Sequence, residues 1–223
     1  MATPKCIEKK IMIEVYAFAT PNSVRVPIAL EELGLEYILN PVNVRKGEQR
    51  SDNFLAINPN AKVPVLIDSD GPNGERIVLT ESAAILIYLA EKTDRLLPRA
   101  GVNRFRVFEQ LFFHTTCVGP AFGQAGFFQR QAPEQVPFAI ERFRNEAMRV
   151  LKVLDGILAR SAFVAGDDYT IADITHFGWL WRREFAMIEL ADFSNIQQWY
   201  EEISVRPAVV AAIEKVNTLI SKE

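Results

Sequence analysis

The sequence predicts a mixed α/β unit over its first third and an all-helical remainder. Three observations carry that division. Strand-like and helix-periodic stretches alternate as far as Lys92, and such alternation builds a sheet flanked by helices. A turn at Gly71-Pro72-Asn73-Gly74 joins two apolar runs so closely that they must pair antiparallel. Composition then changes between Thr93 and Val102, where Asp94, Pro98 and Gly101 mark a linker. Beyond it helical periodicity continues and no strand pattern recurs. The chain's 223 residues suit two small domains or one large one; the change of pattern at the linker points to two, expected at 11–92 and 103–220.

Taken in order, Ile11-Met12-Ile13-Glu14-Val15-Tyr16-Ala17-Phe18 is β-branched and aromatic, a strand punctuated by Thr20-Pro21-Asn22. A helix follows, with Val26, Leu30 and Leu33 on one face and Gly34 as its stop. Pro27 removes one of its hydrogen bonds and predicts a kinked start. Tyr37 to Val44 reads as a second strand, which Pro41 confines to a sheet edge. Val63 to Asp68 and Ile77 to Thr80 form the hairpin. Glu81 to Lys92 is a helix with Ala84, Ile85, Tyr88 and Leu89 at helical spacing. The order β-α-β, a variable segment, then β-β-α is that of a thioredoxin-like fold, with its first two strands parallel. Past the linker, Arg104 to Val118 is a helix expected to break at Gly119-Pro120 and Gly123. Further helices are expected from about Glu134 to Leu158, Asn195 to Val205, and Pro207 to Ile220. Thr170-Ile171-Ala172-Asp173 resembles a capping box.

Composition narrows the function. Hydrophobic residues at 49% and charged residues at 24% are those of an ordinary globular protein with a full core. The 25 Lys+Arg against 28 Asp+Glu leave no basic block of the kind that binds nucleic acid. No apolar run approaches the ~18 residues of a membrane span. Met1 to Lys10 reads as a short polar lead-in, not a signal segment. Cys6 and Cys117 form neither a CxxC nor a metal-ligand spacing. A reducing cytoplasm is therefore the expected compartment, with no disulfide framework and no metal.

Four short segments stand in fixed order on this frame: Thr20-Pro21-Asn22-Ser23, Asn58-Pro59-Asn60-Ala61-Lys62-Val63-Pro64, Leu79-Thr80-Glu81-Ser82-Ala83-Ala84-Ile85, and Tyr169-Thr170-Ile171-Ala172-Asp173. Each alone is a weak signal. Together, with the right elements between them, they make the chain resemble the cytosolic glutathione transferase superfamily over nearly its whole length. The Thr-Pro-Asn motif resembles the bacterial nu class and the Ure2p-like branch. Gly119-Pro120-Ala121-Phe122-Gly123-Gln124 and Pro137 to Phe143 point the same way.

The resemblance implies a role for each segment. Ser82 and the N–H groups opening its helix would bind the γ-glutamyl carboxylate of glutathione, and Glu81 its ammonium. A helix start favours an anion in any case, although Thr80-Glu81-Ser82 would also serve as an ordinary cap. Pro64 would be cis, presenting the Val63 N–H and C=O to the ligand as a strand does. Lys62 and Gln49 would lie by the glycyl carboxylate; as residue types, both also suit a solvated surface. Thr20 and Asn22 would donate to the sulfur. A free thiol has a pKa near ~8.5, so donors and a helix N-terminus are needed to hold it as thiolate. The same four residues are also good turn chemistry. Ser23 stands where nu-class chains usually carry glycine, and its hydroxyl competes with Thr20.

Thioredoxin and glutaredoxin carry a reactive cysteine where this chain has Thr20 to Ser23, so redox work here would fall to glutathione's own sulfur. The resemblance thus implies a homodimeric enzyme with glutathione as co-substrate, acting on a small electrophile or a disulfide. Disulfide exchange is favoured by the branch, with Arg142 loosely assigned to a second glutathione. A non-catalytic interaction module and a zeta-class isomerase are the alternatives; the latter lacks its serine-rich cysteine motif. Cys117 reads as a small buried hydrophobe, and His114 and His176 as packing or surface residues. Phe112, Phe113, Phe122, Phe127, Phe128, Trp179 and Trp181 either line an apolar site or fill the core.

Overall fold

Buried Ile13, Val15 and Ala17 alternate with half-buried Glu14 and Tyr16 along β1 (Ile13–Ala17), the period-two pattern of a strand. The computed structural model describes residues 12–220, so the lead-in with Cys6, and Ile11, lie outside the described residues. β1 is the sheet's inner strand beside β3. It runs parallel to β2 (Tyr37–Pro41), from Ile13 opposite Tyr37 to Ala17 opposite Pro41. On its other side it pairs antiparallel with β3 (Val65–Asp68), which pairs antiparallel with β4 (Ile77–Thr80). The order β2-β1-β3-β4 puts β2 at an edge, as Pro41 requires, and the strand ends there, not at Val44.

All four β3 residues are buried. The polar one, Asp68, accepts from Tyr88 Oη at 2.7 Å and from Lys92 Nζ at 2.9 Å, so the helix after the hairpin neutralises it. That helix is α3 (Ser82–Thr93). Helix α1 (Arg25–Leu33) packs on the sheet and ends at Gly34, whose φ of 69° is a left-handed stop. Pro27 is the third residue of α1, and the Ser23 carbonyl that an N–H there would meet is not left unpaired. It accepts instead from Val26 N–H at 3.2 Å. A short α2 (Asp52–Leu55) leads into the loop before β3.

The remainder is helical: α4 (Val102–Phe113), α5 (Gly119–Arg130), α6 (Pro137–Leu158), α7 (Ile171–Trp181), α8 (Ser194–Ser204) and α9 (Pro207–Asn217). The expected break at Gly119-Pro120 is absent. A wide π-turn over His114–Val118 carries the chain directly from α4 into α5, with Pro120 in the first turn of α5. Proline also opens α6, three residues later than Glu134. The capping box at α7 forms: Asp173 Oδ2 accepts from Thr170 N–H at 2.9 Å, and Thr170 Oγ1 accepts from Ala172 N–H at 3.2 Å. Asp173 Oδ1 also accepts from Val164 N–H and Trp199 Nε1, both at 3.0 Å. Burial still pushes this carboxyl up to about 6.

One apolar core runs through both parts. At the seam Arg206 forks onto Glu32 at 2.6 and 2.9 Å, tying the start of α9 to α1. The Leu96 carbonyl accepts from Ile171 N–H at 3.0 Å, fastening the linker to α7.

Candidate functional site

Three chain segments of the sheet unit converge at the seam. The first is the turn after β1. Val24 N–H bonds to the Thr20 carbonyl at 3.1 Å, so the helical screw begins one turn before α1 and Asn22 lies exposed on it. Thr20 Oγ1 donates to Ser23 Oγ at 2.9 Å and accepts from Ser23 N–H at 3.2 Å. Ser23 is wholly buried, so the competition expected from its hydroxyl takes the form of a direct bond with Thr20.

The second segment is the loop before β3. Asn58, buried at its base, accepts from Asn60 N–H at 3.0 Å and donates to the Lys62 carbonyl at 2.6 Å. That side chain adds to the loop's own backbone bond, from Ala61 N–H to the Asn58 carbonyl at 3.0 Å. The Val63–Pro64 bond beyond it is cis, as expected. The third segment is the β4–α3 junction. Glu81 adopts φ 64° and ψ 111°, a conformation side chains rarely accept. It turns the chain so sharply that Ser82 opens α3 at once. No side chain caps α3, which leaves its first N–H groups without a side-chain acceptor.

These segments enclose a pocket of about 200 Å³ lined by Asn22, Asn58, Lys62, Val63, Pro64, Glu81 and Ser82. A larger cleft of about 480 Å³ shares Asn22, Lys62, Glu81 and Ser82 with it and continues past Arg25 and His114 onto the helical part, along Thr115, Gly119, Pro120, Gln124 and Trp179. Six of the nine expected site residues thus meet in one place. The other three do not line it. Thr20 is half-buried behind Asn22 and bonded to Ser23. Gln49 reaches back to the Val44 carbonyl at 3.4 Å. Arg142 is exposed on α6, in a separate surface pocket with Phe138, Glu141, Asn145, Glu146 and Arg149.

Of the aromatic candidates only Trp179 lines the cleft; Phe122 is core, and Phe112 and Phe127 face outward. Cys117 is half-buried on the π-turn, within 3.5 Å of Thr116 Oγ1.

Sequence reasoning missed the wall behind Ser82. Arg25, 2% exposed, donates from Nη1 to Ser82 Oγ at 2.9 Å and approaches His114 Nε2 with Nη2 at 2.5 Å. His114 Nδ1 in turn lies 3.2 Å from His176 Nδ1. Burial lowers Arg25 to about 9 and His176 to about 3, and drives His114 well below its ordinary range. Gly178 makes room for this chain. A β-carbon there would meet the Pro21 carbonyl oxygen at 2.3 Å and Arg25 Nε at 2.9 Å. The available signals were an arginine inside the apolar run Val24 to Leu30 and histidines inside two others.

Comparison with known proteins matches the same two parts. Residues 19–92 match the family model of the glutathione S-transferase N-terminal domain, and residues 114–207 that of the C-terminal domain. The chain belongs to the glutathione S-transferase family. The disulfide-bond oxidoreductase YfcG of Escherichia coli (strain K12) is 39% identical over 207 residues, covering 92% of this chain and 95% of that protein. A glutathione transferase family member from Pseudomonas fluorescens pf-5, solved with two glutathione bound, superposes with a TM-score of 0.87 at 35% identity; 94% of this chain and 95% of that chain are covered. The glutathione transferase URE2P6 from Phanerochaete chrysosporium, solved in complex with oxidized glutathione, gives 0.85 at 32% identity, with 93% and 97% covered. The chain is thus a transferase-family member of the Ure2p-like branch.

Proposed function

We propose that this family member is a cytoplasmic glutathione-dependent disulfide oxidoreductase, with its two domains dividing between 92 and 103. The observation that carries the reading is the pocket of Asn22, Val63, Pro64, Glu81 and Ser82 opening directly into the larger cleft. One glutathione would occupy the pocket, with its γ-glutamyl carboxylate on Ser82 and the opening N–H groups of α3, and its ammonium by Glu81. The Val63 backbone would pair with its cysteinyl unit, and Lys62 would meet the glycyl carboxylate. The cleft, at about 480 Å³, falls within the ~300–1,000 Å³ of small-molecule sites and leaves room for a second glutathione. Relatives solved with two glutathiones or with oxidized glutathione support that count. Gln49 and Arg142 gain no such support from their positions.

Asn22 and Thr20 would hold the first sulfur as a thiolate. It attacks one sulfur of a substrate disulfide; the S–S bond breaks, and the other half leaves as a thiolate and takes a proton from water. The second glutathione thiolate then attacks the glutathionyl sulfur of the mixed disulfide. Glutathione disulfide forms, the remaining thiol is released, and two electrons have passed to the substrate. No protein cysteine enters this sequence.

The test is glutathione-dependent turnover of hydroxyethyl disulfide beside conjugation of a chloronitrobenzene. The Cys6→Ser, Cys117→Ser double variant should keep most of its reductase activity. Asn22→Ala or Thr20→Ala should lose about tenfold or more, the cost of a charge-assisted bond. A dead cysteine-free variant would overturn the mechanism. Conjugation without disulfide turnover would assign the same pocket to ordinary transfer onto an electrophile. A purified protein that binds neither glutathione nor its disulfide would be the non-catalytic module.

A further inference from the structure

Arg25 carries its guanidinium into the seam without a carboxylate partner among the described residues; its partners are Ser82 and His114, and Nε has none. An isolated buried cation is costly, and an anion placed near it is correspondingly favoured. Its contacts fix the direction of every proton. A guanidinium only donates, so His114 Nε2 accepts, and the neutral ring carries its proton on Nδ1. That proton faces His176 Nδ1, 3.2 Å away, which must accept it. Burial and the Arg25 charge keep both imidazoles neutral. At the other end Nη1 occupies a lone pair of Ser82 Oγ. The serine hydroxyl proton is thereby turned away from Arg25, at the first residue of α3, where both pockets meet.

We infer that Arg25 is a positioning residue for ligand recognition: it makes Ser82 a hydrogen-bond donor and supplies the counter-charge for the α-carboxylate of a γ-glutamyl ligand. The inference rests on the glutathione reading and adds to it a buried cation on the cleft wall behind Ser82. His114, on the π-turn, and His176, on α7, hold this residue of the sheet unit from the helical side. The carboxylate subsite is complete only when the two parts are docked.

The experiment is calorimetric titration of wild type, Arg25→Gln and Arg25→Lys with two ligands: glutathione, and the analogue whose γ-glutamyl α-carboxylate is a carboxamide. Wild type should prefer glutathione by about tenfold or more, as hydrogen bonds to charged groups do. Arg25→Gln should lose that preference while its affinity for the carboxamide stays within about twofold, because only the charged contact is removed. Arg25→Lys keeps the charge without the fork and should recover part of it. Equal weakening toward both ligands would make Arg25 merely structural, and an unchanged preference would make it irrelevant; either overturns the inference. A wild type that binds neither ligand sinks the glutathione reading itself. Should Arg25→Gln fail to fold, NMR of the wild-type Arg25 side-chain N–H groups decides. They should shift on adding glutathione and not on adding the carboxamide, and equal shifts or none overturn the proposal.

Discussion

At the residue scale, the bond of Ser82 to Arg25 and its proposed contact with glutathione are separable by measurement. Ser82 is 7% exposed and touches Arg25, so its loss leaves one buried donor without an acceptor. Ser82→Ala should weaken glutathione binding by ~1–3 kcal/mol, the range for a bond to a charged group. The unfolding midpoint in urea should fall as well, because the buried Arg25 Nη1 left without an acceptor costs ~1–3 kcal/mol. Titration beside urea unfolding checks both; unchanged affinity would remove Ser82 from the ligand's reach. Glu81-Ser82, Val63-Pro64 and Asn22 could be read from the sequence because each sits in a short motif whose neighbours explain it. Arg25 could not. Its partners lie 57 and 89 positions away, and its one local signal, a place inside the apolar run Val24 to Leu30, names neither of them.

At the scale of elements, α7 lies against the turn that carries Asn22, and Gly178 is what permits it. Gly178→Ala would drive a methyl group to 2.3 Å from the Pro21 carbonyl, a backbone atom that cannot rotate away. The variant should lose ~1–3 kcal/mol of stability, as overpacked cores do, and bind glutathione more weakly because the turn moves. Gly123→Ala is the control. Its β-carbon would make ordinary contact with Trp179 at 3.6 Å, and a mid-helix alanine gains ~1 kcal/mol in propensity. Differential scanning calorimetry of the two variants checks the contrast; equal melting temperatures would mean that α7 tolerates the shift. The Gly34 stop, the hairpin and the Thr170–Asp173 box are local, and local chemistry announces them. The π-turn is not local. It carries His114 to Arg25 and His176, and Gly119-Pro120, which looks like a breaker in the sequence, instead fits the first turn of α5.

At the scale of the molecule, the seam between sheet and helices carries the proposed ligand site, and the outer face of α4 the proposed subunit contact. Arg206 on Glu32 and Lys215 on Glu31 close the seam on one side, and the cleft opens it on another. The face of α4 turned away from the core carries Phe105 and Phe112, 70% and 66% exposed. Seven positions apart, they stand two helical turns apart on one stripe. Covering such a side chain is worth ~1.5–3 kcal/mol, and the homodimer implied by the family resemblance would cover them. Phe105→Glu with Phe112→Glu should therefore turn a dimer into a monomer in sedimentation velocity. Neither ring fills the core, so the helical content of that monomer should match the wild type by circular dichroism. Both pockets are lined from a single chain, so the monomer should still bind glutathione. A wild type that sediments as a monomer, or a double variant that stays dimeric, would move the interface off α4. A monomer that binds no glutathione would mean that the partner subunit completes the site.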